Sequence, residues 1–455
     1  MTAIGQRART GVPPSVAGRH MLWAVVAANV VVVETLFFTA GWERSAGSRP
    51  PNVLLSVGKF FGLHATLVLL LQLTLIARVP WFDRRIGMDR LTAWHRWVGF
   101  TLFWTVLLHL SFISVGFATM YNMTPWQSFA DLAQVPASLF GICAAATIAV
   151  VVAVSLKAVR RRLRYETWHA LHMLVYAVIV LAIIHQAYEG TTFKTTTLAT
   201  VYWWTLWSLV LLALVTGRVV IPLWRNAYHR FRVAAVVPEA DNVTSVHVTG
   251  RRLDRLPARA GQFFIWRFPG HNHWWRANPF SLSAAPDGQG LRLTAKAVGD
   301  TSAGLRHVPV GTRVFAEGPY GAFTSIHRTR SSTLLIAGGV GITPIRALLE
   351  EATGGASTVV LYRVHSAADA VLLPELEALA ADRGAQLHLL TGRTGAGSPP
   401  NAPFEPDNLL ALVPDVAERD VFVCGPPAMT ESVLRSLRAL GVPRHQVHAE
   451  RFSLA

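Results

Sequence analysis

The sequence predicts a multidomain membrane protein in which a bundle of six transmembrane helices precedes two smaller folded domains. Six apolar segments are long enough to cross a bilayer, near residues 20–40, 53–77, 91–118, 135–157, 168–189 and 198–221. After about residue 228 the apolar runs shorten to strand length, and from about residue 331 strands alternate with helices. These two changes predict an antiparallel β-barrel and then an α/β domain with a doubly wound parallel sheet.

The same changes predict the domain boundaries. We expect an N-terminal tail over residues 1–19, a six-helix membrane domain over 20–227, a β-barrel domain over 228–328 and an α/β domain over 329–455. Of the 455 residues, 52% are hydrophobic and 15% are charged. Soluble domains carry about 25% charged residues, so the composition also indicates a lipid bilayer as a partner.

The positive charges indicate how the spans are oriented. The formal net charge is +16, but most arginines lie in the loops between apolar runs, so we expect no nucleic-acid partner. Alternate loops are rich in basic residues and the loops between them carry few, which predicts cytoplasmic termini and a location in the plasma membrane. The basic residues of the cytoplasmic segments are Arg7, Arg9, Arg19, Arg78, Arg84, Arg85, Arg90, Lys157, Arg160, Arg161, Arg162, Arg164, Arg218, Arg225, Arg230 and Arg232. We interpret the first apolar run as an uncleaved helix, since it continues past Phe38 without a small-residue cleavage site.

Four histidines occur in two of the predicted spans. His95 and His109 lie fourteen residues apart in the third span, and His172 and His185 lie thirteen apart in the fifth. Ionisable residues inside a membrane helix are costly and mark functional sites. Both spans run from inside to outside, so the inner level pairs His95 with His172 and the outer level pairs His109 with His185. One imidazole from each helix is the ligand set of a bis-histidine haem.

The spacing in the fifth span conflicts with a regular α-helix. Fourteen residues make about 3.9 turns, so His95 and His109 share a face, but thirteen residues fall some 140° short of four turns. A local irregularity or a different angle of approach to each haem is needed for His172 and His185. The alternative for any single histidine is a packing role, which we expect for His64 and His169. If one of the four histidines does not bind a haem, His169 is the residue that would replace it. We expect Glu34 to lie near the outer interface.

The α/β part carries two motifs at the ends of predicted strands. The stretch Gly338-Gly339-Val340-Gly341-Ile342-Thr343-Pro344 follows the first strand and opens a helix, which is where a phosphate binds in doubly wound folds. A late strand ends in Cys424-Gly425-Pro426-Pro427, where a small thiol and a glycine leave room for a flat ring. A tight turn and a core cysteine are the alternatives for each motif alone.

Two further stretches in the barrel region favour a flavin. Asn278-Pro279-Phe280-Ser281-Leu282-Ser283 offers an aromatic ring and hydroxyls that stack on and bond to such a ring. Gly299-Asp300-Thr301-Ser302 opens a short helix suited to a diphosphate. An ordinary barrel strand and loop would also explain each stretch by itself.

These motifs carry a resemblance to known families. The soluble half resembles the ferredoxin–NADP reductase superfamily, and residues 20–455 resemble the ferric reductase/NADPH oxidase family. The resemblance rests on the two histidine pairs, NPFSLS, GPYG at 318–321, GGVGITP and CGPP. It implies a six-helix domain with two b-type haems on His95, His109, His172 and His185, an FAD-binding barrel and an NAD(P)-binding domain.

The resemblance also implies roles for single residues. The family places a cation where this chain has Asn278, so Arg276 is the expected replacement at the flavin phosphate. The family's aromatic residue that shields the flavin ring corresponds to Phe452, here followed by three residues. We assign Phe452 and Cys424 to the catalytic site. Arg363 and Arg393 are placed to hold a 2′-phosphate, or else are solvated loop charges, so NADPH and NADH both remain open.

The implied activity is transmembrane electron transfer. NAD(P)H on the cytoplasmic side reduces FAD, and two haems carry electrons to an acceptor at the outer face. A ferric chelate or another small acceptor is preferred, and a superoxide-producing oxidase that uses O₂ is the alternative. A nucleotide-regulated six-span channel or transporter, and an electron-delivering subunit for a membrane partner, are further hypotheses. The first would contain no haem, and the second would not turn over with free acceptors.

Overall fold

A computed structural model describes residues 14–41, 52–163, 165–271, 278–352, 357–395 and 401–451. The chain forms two compact units, each treated separately below. The helical unit comprises residues 20–79 and 90–216, and the sheet unit comprises residues 1–19, 80–89 and 217–455. The loop between the second and third spans and the end of the sixth span therefore belong to the sheet unit.

Within the described ranges, six helices are long and apolar enough to cross a membrane, as the hydropathy predicted. These spans cover Ala17–Thr39, Val53–Ile76, Arg90–Met120, Pro136–Ser155, Thr167–Glu189 and Thr197–His229. The protein is thus a multi-pass membrane protein. The helices within and beside the spans are α1 (Pro14–Leu36), α2 (Val53–Ile76), α3 (Pro80–Ile86), α4 (Met88–Met120), α5 (Pro125–Gln134), α6 (Pro136–Ser155), α7 (Tyr165–His172), α8 (Val175–Glu189), α9 (Thr197–Val215) and α10 (Ile221–His229).

The fifth span is interrupted between its two histidines, where their spacing predicted a local irregularity of the helix. Helix α7 ends at His172 and α8 begins at Val175. Across the break, the amides of Leu174, Tyr176 and Ala177 donate to carbonyls three residues earlier, at 3.2, 3.1 and 2.9 Å. Such 3₁₀ bonding turns the chain by about 120° per residue instead of 100°. This tightening lies between the two histidines, so it turns His185 in the direction that the spacing of thirteen residues requires.

The barrel region forms two sheets rather than the closed barrel that the sequence predicted. One antiparallel sheet has the order β1 (Arg232–Ala240), β2 (Val243–Thr249), β5 (Gly290–Lys296), and the other has the order β4 (Asn278–Ser281), β3 (Phe263–Arg267), β6 (Phe315–Tyr320). Among the described residues, isolated bridges such as Leu282–Leu293 replace a continuous ladder between them. The sheets are held by a shared core in which Val246 and Leu293 of one meet Phe264 and Trp266 of the other. Apolar contact between the sheets thus takes the place of hydrogen-bonded closure.

The α/β part has a five-stranded parallel sheet covered on both faces. Its order is β11 (Val447–Arg451), β10 (Asp420–Gly425), β7 (Thr333–Gly338), β8 (Thr358–Arg363), β9 (Gln386–Leu390). Alternate residues of β7, β8 and β10 enter two separate cores. Helices α11 (Ile342–Glu351) and α12 (Leu373–Arg383) cover one face, and α13 (Pro406–Leu412) and α14 (Pro427–Ala439) cover the other. The doubly wound sheet is confirmed, whereas β11 was not foreseen.

Two helices of the sheet unit are held against β6. Asn226 of α10 forms a reciprocal pair with Ala316, since its Nδ2 donates to the carbonyl at 2.8 Å and its Oδ1 accepts the amide at 2.9 Å. Asp83 of α3 is fully buried, and its Oδ2 accepts the amide N–H of Gly321 at 2.9 Å. His327 Nε2 lies 3.0 Å from the carbonyl oxygen of Arg84. The GPYG turn that ends β6 is therefore braced by the loop between the second and third spans.

Candidate functional site

The structure brings His109 and His185, the predicted outer pair, together within the helical unit with their ring planes 66° apart. The ring centres of His109 and His185 lie 6.2 Å apart. His109 Nδ1 lies 2.8 Å from the carbonyl oxygen of Gly58, and His185 Nδ1 lies 2.9 Å from that of Ala137. A carbonyl only accepts, so each Nδ1 carries the proton and each Nε2 keeps its lone pair. Metal-bound histidines are oriented in this way.

The inner pair has the same separation but a different surrounding. The ring centres of His95 and His172 lie 6.1 Å apart. Gln72 Nε2 lies 3.2 Å from His95 Nε2, so a metal on that nitrogen requires the amide to turn aside. His172 Nδ1 lies 3.5 Å from Ser155 Oγ, and its ring lies beside Trp168 with centres 5.1 Å apart. His95 therefore pairs with His172, as the parallel direction of the third and fifth spans predicted.

Both separations fit a single metal ion between two imidazoles. Metal–imidazole bonds of about 2.0–2.1 Å, with each ring centre roughly 1.1 Å behind its nitrogen, put the ring centres about 6.3 Å apart. Among the described residues no group of three or more His, Cys, Asp or Glu side chains could hold a metal. In a bis-histidine haem, the protein supplies only two ligands to the iron, and the remaining four come from another group.

Two glycines make room for the outer imidazoles. A Cβ on Gly62 of α2 would lie 2.7 Å from His109 Nδ1, and a Cβ on Gly141 of α6 would lie 2.8 Å from His185 Nδ1. A cavity of about 190 Å³ passes this pair and is lined by Lys59, Gln186 and Glu189 among others. The sequence analysis missed these glycines, because only the helix packing shows which face meets a histidine.

Two other ionisable residues of the spans, His64 and Glu34, form a separate contact. His64 Nε2 lies 3.8 Å from Glu34 Oε1, and His64 Nδ1 lies 2.9 Å from the carbonyl oxygen of Phe60. The packing role expected for His64 agrees with this arrangement.

The two nucleotide motifs meet at the centre of the parallel sheet. Strands β7 and β10 are neighbours, and the connections leave in opposite directions from this point, which is where ligands bind in open α/β sheets. A Cβ on Gly341 would lie 2.3 Å from the carbonyl oxygen of Cys424, so the loops approach this closely only with glycine there. The structure thus brings together the predicted loop residues Gly338, Gly339, Gly341, Ile342, Thr343, Pro344, Cys424, Gly425 and Pro426.

Cys424 lies at the end of β10 and is fully buried. Burial and the nearby Glu450 carboxylate raise the pKa of the Cys424 thiol well above its usual value of 9.0. The thiol is therefore protonated near neutral pH and does not act as a nucleophile. Glu450 is the cross-strand neighbour of Cys424 on β11, and it was missed because β11 was not foreseen.

The flavin strand contains one residue with an unused hydroxyl and one whose hydroxyl is engaged. Ser281 Oγ is buried and has no hydrogen-bond partner among the described residues, as expected of a group that faces a ligand. Ser283 is fully buried, and its Oγ accepts from Thr294 Oγ1 at 2.7 Å and Arg292 Nε at 3.1 Å. Asn278 Nδ2 donates to the carbonyl oxygen of Trp266 at 3.3 Å. Pro279 and Phe280 lie on the same strand and are half-buried.

The remaining predicted positions are spread over the sheet unit. Ser302 Oγ donates to the Gly299 carbonyl oxygen at 3.0 Å and accepts from the Gly299 amide at 3.2 Å, so it closes the turn that holds Thr301. Arg363 ends β8, and Arg393 lies exposed in the loop after β9. Arg276 and Phe452 lie outside the described residues.

Arg363 differs from Arg393 in its burial and its bonding. It is 8% exposed, and its Nη1 donates to the carbonyl oxygen of Thr391 at 2.7 Å. Its Nη2 is buried without a hydrogen-bond partner among the described residues. A guanidinium at the end of the second strand is where doubly wound folds bind a 2′-phosphate.

Comparison with known proteins identifies the class to which this fold and these sites belong. Residues 61–183 match the family of ferric reductase like transmembrane components, and residues 335–435 match the oxidoreductase NAD-binding domain. The chain therefore combines a segment similar to a ferric reductase like transmembrane component with a segment similar to an oxidoreductase NAD-binding domain. This combination confirms the resemblance stated from the motifs.

Individual relatives resemble the reductase half. The ferredoxin reductase component of 3-ketosteroid-9-alpha-monooxygenase from Mycobacterium tuberculosis is 32% identical over 241 residues, which is 49% of this chain and 64% of the relative. The ferredoxin–NAD(+) reductase component of an alkene monooxygenase system from Xanthobacter autotrophicus is 32% identical over 201 residues, 42% of this chain and 61% of the relative. The FAD/NAD-binding domain of a nitric oxide dioxygenase from Vibrio cholerae matches with a TM-score of 0.40 and 25% identity over 49% of this chain and 98% of that one. The chain thus spans a little under two thirds of the length of these two curated relatives.

Proposed function

We propose that the protein moves electrons from cytoplasmic NAD(P)H through FAD and two b-type haems to an acceptor at the outer face of the plasma membrane. The observation that carries the proposal is the pair of imidazole–imidazole separations, 6.1 Å at one level and 6.2 Å at the other. The fourteen residues from His95 to His109 correspond to about 21 Å of helix rise, a distance suited to relay between two centres.

Each part of the chain has a separate task in this function. The loops at Gly341 and Cys424 bind and orient the nucleotide, and the Ser281 hydroxyl is available to hold the flavin. The four histidines would hold the haems as metal ligands and not act as acid–base groups. A flavin held at the Ser281 strand would supply the conversion of a two-electron hydride into single electrons.

The preferred donor is NADPH, because Arg363 keeps a buried and unused donor at the end of β8. The preferred acceptor is a ferric chelate or another small acceptor. The cavity beside the outer histidine pair gives such a molecule a place close to the imidazoles, and both Lys59 and Glu189 line it. Oxygen is the alternative acceptor, since it needs space rather than charge. A nucleotide-regulated channel or transporter is the alternative of another class, and it requires no haem.

The decisive experiment is a reduced-minus-oxidised absorption spectrum of the purified protein with NADPH as reductant. We expect low-spin b-type bands from two haems per chain, and loss of part of these bands in His185→Ala. His64→Ala is the matched control, because this membrane histidine contacts Glu34 instead, and it should keep both haems. A wild-type protein without haem bands, produced with sufficient haem, would refute the relay and favour the channel. Superoxide formation without ferric chelate reduction would favour O₂.

A further inference from the structure

An ionic network of two buried arginines and two partly exposed carboxylates joins the flavin strand to the nucleotide-binding helix. Glu375 of α12 accepts from Arg292 of β5 through both oxygens, at 2.9 and 3.0 Å. Its Oε2 also accepts from Nε of Arg346 of α11 at 2.9 Å. The Glu375 carboxylate therefore binds two guanidinium groups. One belongs to β5 of an antiparallel sheet, and the other belongs to α11, which covers the parallel sheet.

Both arginines also grip the backbone that follows β4. Arg292 Nη2 and Arg346 Nη1 donate to the carbonyl oxygen of Ser283, at 2.8 and 3.1 Å. Arg346 also binds Glu350, whose Oε2 accepts the amide of Ala285 at 2.6 Å. The backbone just after β4 is thus held by side-chain hydrogen bonds at Ser283 and at Ala285. This network of Arg292, Arg346, Glu350 and Glu375 is called the clamp below.

The network is positioned to matter for the distance between the two cofactors. Arg346 lies four residues after Ile342, in the helix that begins at the nucleotide loop. Ser283 lies two residues after Ser281, the hydroxyl available to the flavin. A clamp between these points couples the position of the nicotinamide to that of the flavin.

The charges make this clamp stiff. Arg292 and Arg346 are each 7% exposed, and two carboxylates balance them. Removal of one partner from a buried pair leaves an uncompensated charge, so partial opening is costly. Planar guanidinium groups with several directed bonds also fix orientation better than apolar contact does.

We propose that Glu375 is a positioning residue for hydride transfer: by holding Arg292 and Arg346 together, it sets the approach of the nicotinamide to the flavin. This inference rests on the proposed NAD(P)H-to-FAD reaction. Glu375 touches neither cofactor in it and acts only through the two arginines. Small displacements of reacting groups cost up to about a hundredfold in rate, so loss of the clamp should appear in the chemical step.

The test compares Glu375→Gln with Glu377→Gln in the full-length protein. Glu377 is exposed on the same helix and is the matched control. Stopped-flow reduction of the flavin by NADPH should slow by roughly tenfold to a hundredfold in Glu375→Gln, with nucleotide affinity nearly unchanged. The kinetic isotope effect with 4-deuterated NADPH should rise, and Glu377→Gln should behave as wild type.

A second measurement needs no cofactor. In flavin-free protein, the Ala285 amide should exchange with deuterium faster in Glu375→Gln, while amides of β10 should keep their protection. If Glu375→Gln fails to bind FAD, Glu375→Asp repeats the comparison with the charge retained and the carboxylate withdrawn. Unchanged flavin reduction, or a loss explained entirely by weaker nucleotide binding, would overturn the inference. A wild-type protein whose flavin NADPH does not reduce would instead overturn the proposed function.

Discussion

At the scale of single residues, burial separates side chains that the sequence leaves equivalent. Arg363 and Arg393 both follow predicted strands, but the structure buries the first and exposes the second. Ser281 and Ser283 lie two positions apart, yet within the described part of the chain only the Ser281 hydroxyl has no hydrogen-bond partner. Arg363 and Ser281 are therefore the stronger candidates for contact with a cofactor.

Replacement of Arg363 should change the choice of nucleotide. A hydrogen bond to a charged group contributes about 1.5–3 kcal/mol, so Arg363→Ala should raise the KM for NADPH roughly tenfold or more. The KM for NADH should stay nearly the same, as steady-state dye reduction with each nucleotide will measure. Arg435→Ala, an exposed arginine of α14, is the control. Equal losses with both nucleotides would instead mean that Arg363 only supports the loop at Thr391.

The stability contributed by Glu375 should depend on pH. Burial acts to raise the pKa of Glu375, but the hydrogen bond and charge of Arg292, together with Arg346, outweigh burial and lower it below 4.5. The carboxylate thus stabilises the fold fully above about pH 4.5, and the contribution disappears as pH falls through the lower folded-state pKa.

The prediction is that the thermal midpoint of Glu375→Gln lies below that of wild type at pH 7. The gap should close as the pH falls from 4.5, because the wild-type carboxylate then also takes up a proton. Tryptophan fluorescence of the detergent-solubilised protein, scanned at a series of pH values, measures both midpoints. A gap that is constant over the whole range would exclude the ionised carboxylate as its cause.

At the scale of elements, helix packing and a local change of helix type align the metal-binding candidates. Three 3₁₀-type hydrogen bonds tighten the fifth span where α7 meets α8. The carbonyls of Gly58 and Ala137 orient the outer imidazoles, and Gly62 and Gly141 leave space for them. Two neighbouring helices, α2 and α6, therefore shape a site whose ligands lie on α4 and α8.

Gly141→Ala should weaken the outer haem selectively. The added Cβ would lie 2.8 Å from His185 Nδ1 and must displace the imidazole or its helix. Changes in groups that orient a ligand cost about 10–100-fold in metal affinity. We expect roughly half of the haem to be lost in the pyridine haemochrome assay, with the α-band of the other haem unchanged.

The control for this prediction is dye reduction by NADPH, which should be unaffected, because it uses only the sheet unit. Gly441→Ala, a change outside the membrane spans, should retain both haems. Retention of two haems in Gly141→Ala would show that α6 can shift without loss of haem and that a glycine is not needed there.

At the scale of the whole molecule, the basic loops predict cytoplasmic termini, so the proposed electron flow runs from the cytoplasmic side to the outer face. Inverted membrane vesicles expose the cytoplasmic side, so NADPH added outside should reduce a ferric chelate trapped inside. His185→Ala should abolish this reduction while dye reduction outside continues. Reduction of an external chelate only, in sealed wild-type vesicles, would contradict transmembrane transfer.

Much of this architecture could be predicted from the chain alone. The six spans, the doubly wound sheet and the meeting of the GGVGITP and CGPP loops were foreseen, because hydropathy and strand–turn–helix patterns are local. The antiparallel strands of the predicted β-barrel were foreseen, but the structure shows them as two separate sheets, since closure depends on hydrogen bonds between strands distant in sequence. The terminal strand β11 was overlooked because five residues with mixed polarity carry little signal of their own.

Residue type, spacing and loop charge were therefore sufficient for the class of protein, the number of spans and the four candidate haem ligands. Only the folded chain decided which helix carbonyls orient those ligands, which serine keeps a free hydroxyl and which arginine is buried. It also revealed the Glu375 network, whose members come from β5, α11 and α12. The difference has one physical cause: hydropathy acts along the chain, whereas burial and hydrogen-bond satisfaction depend on neighbours that only tertiary packing provides.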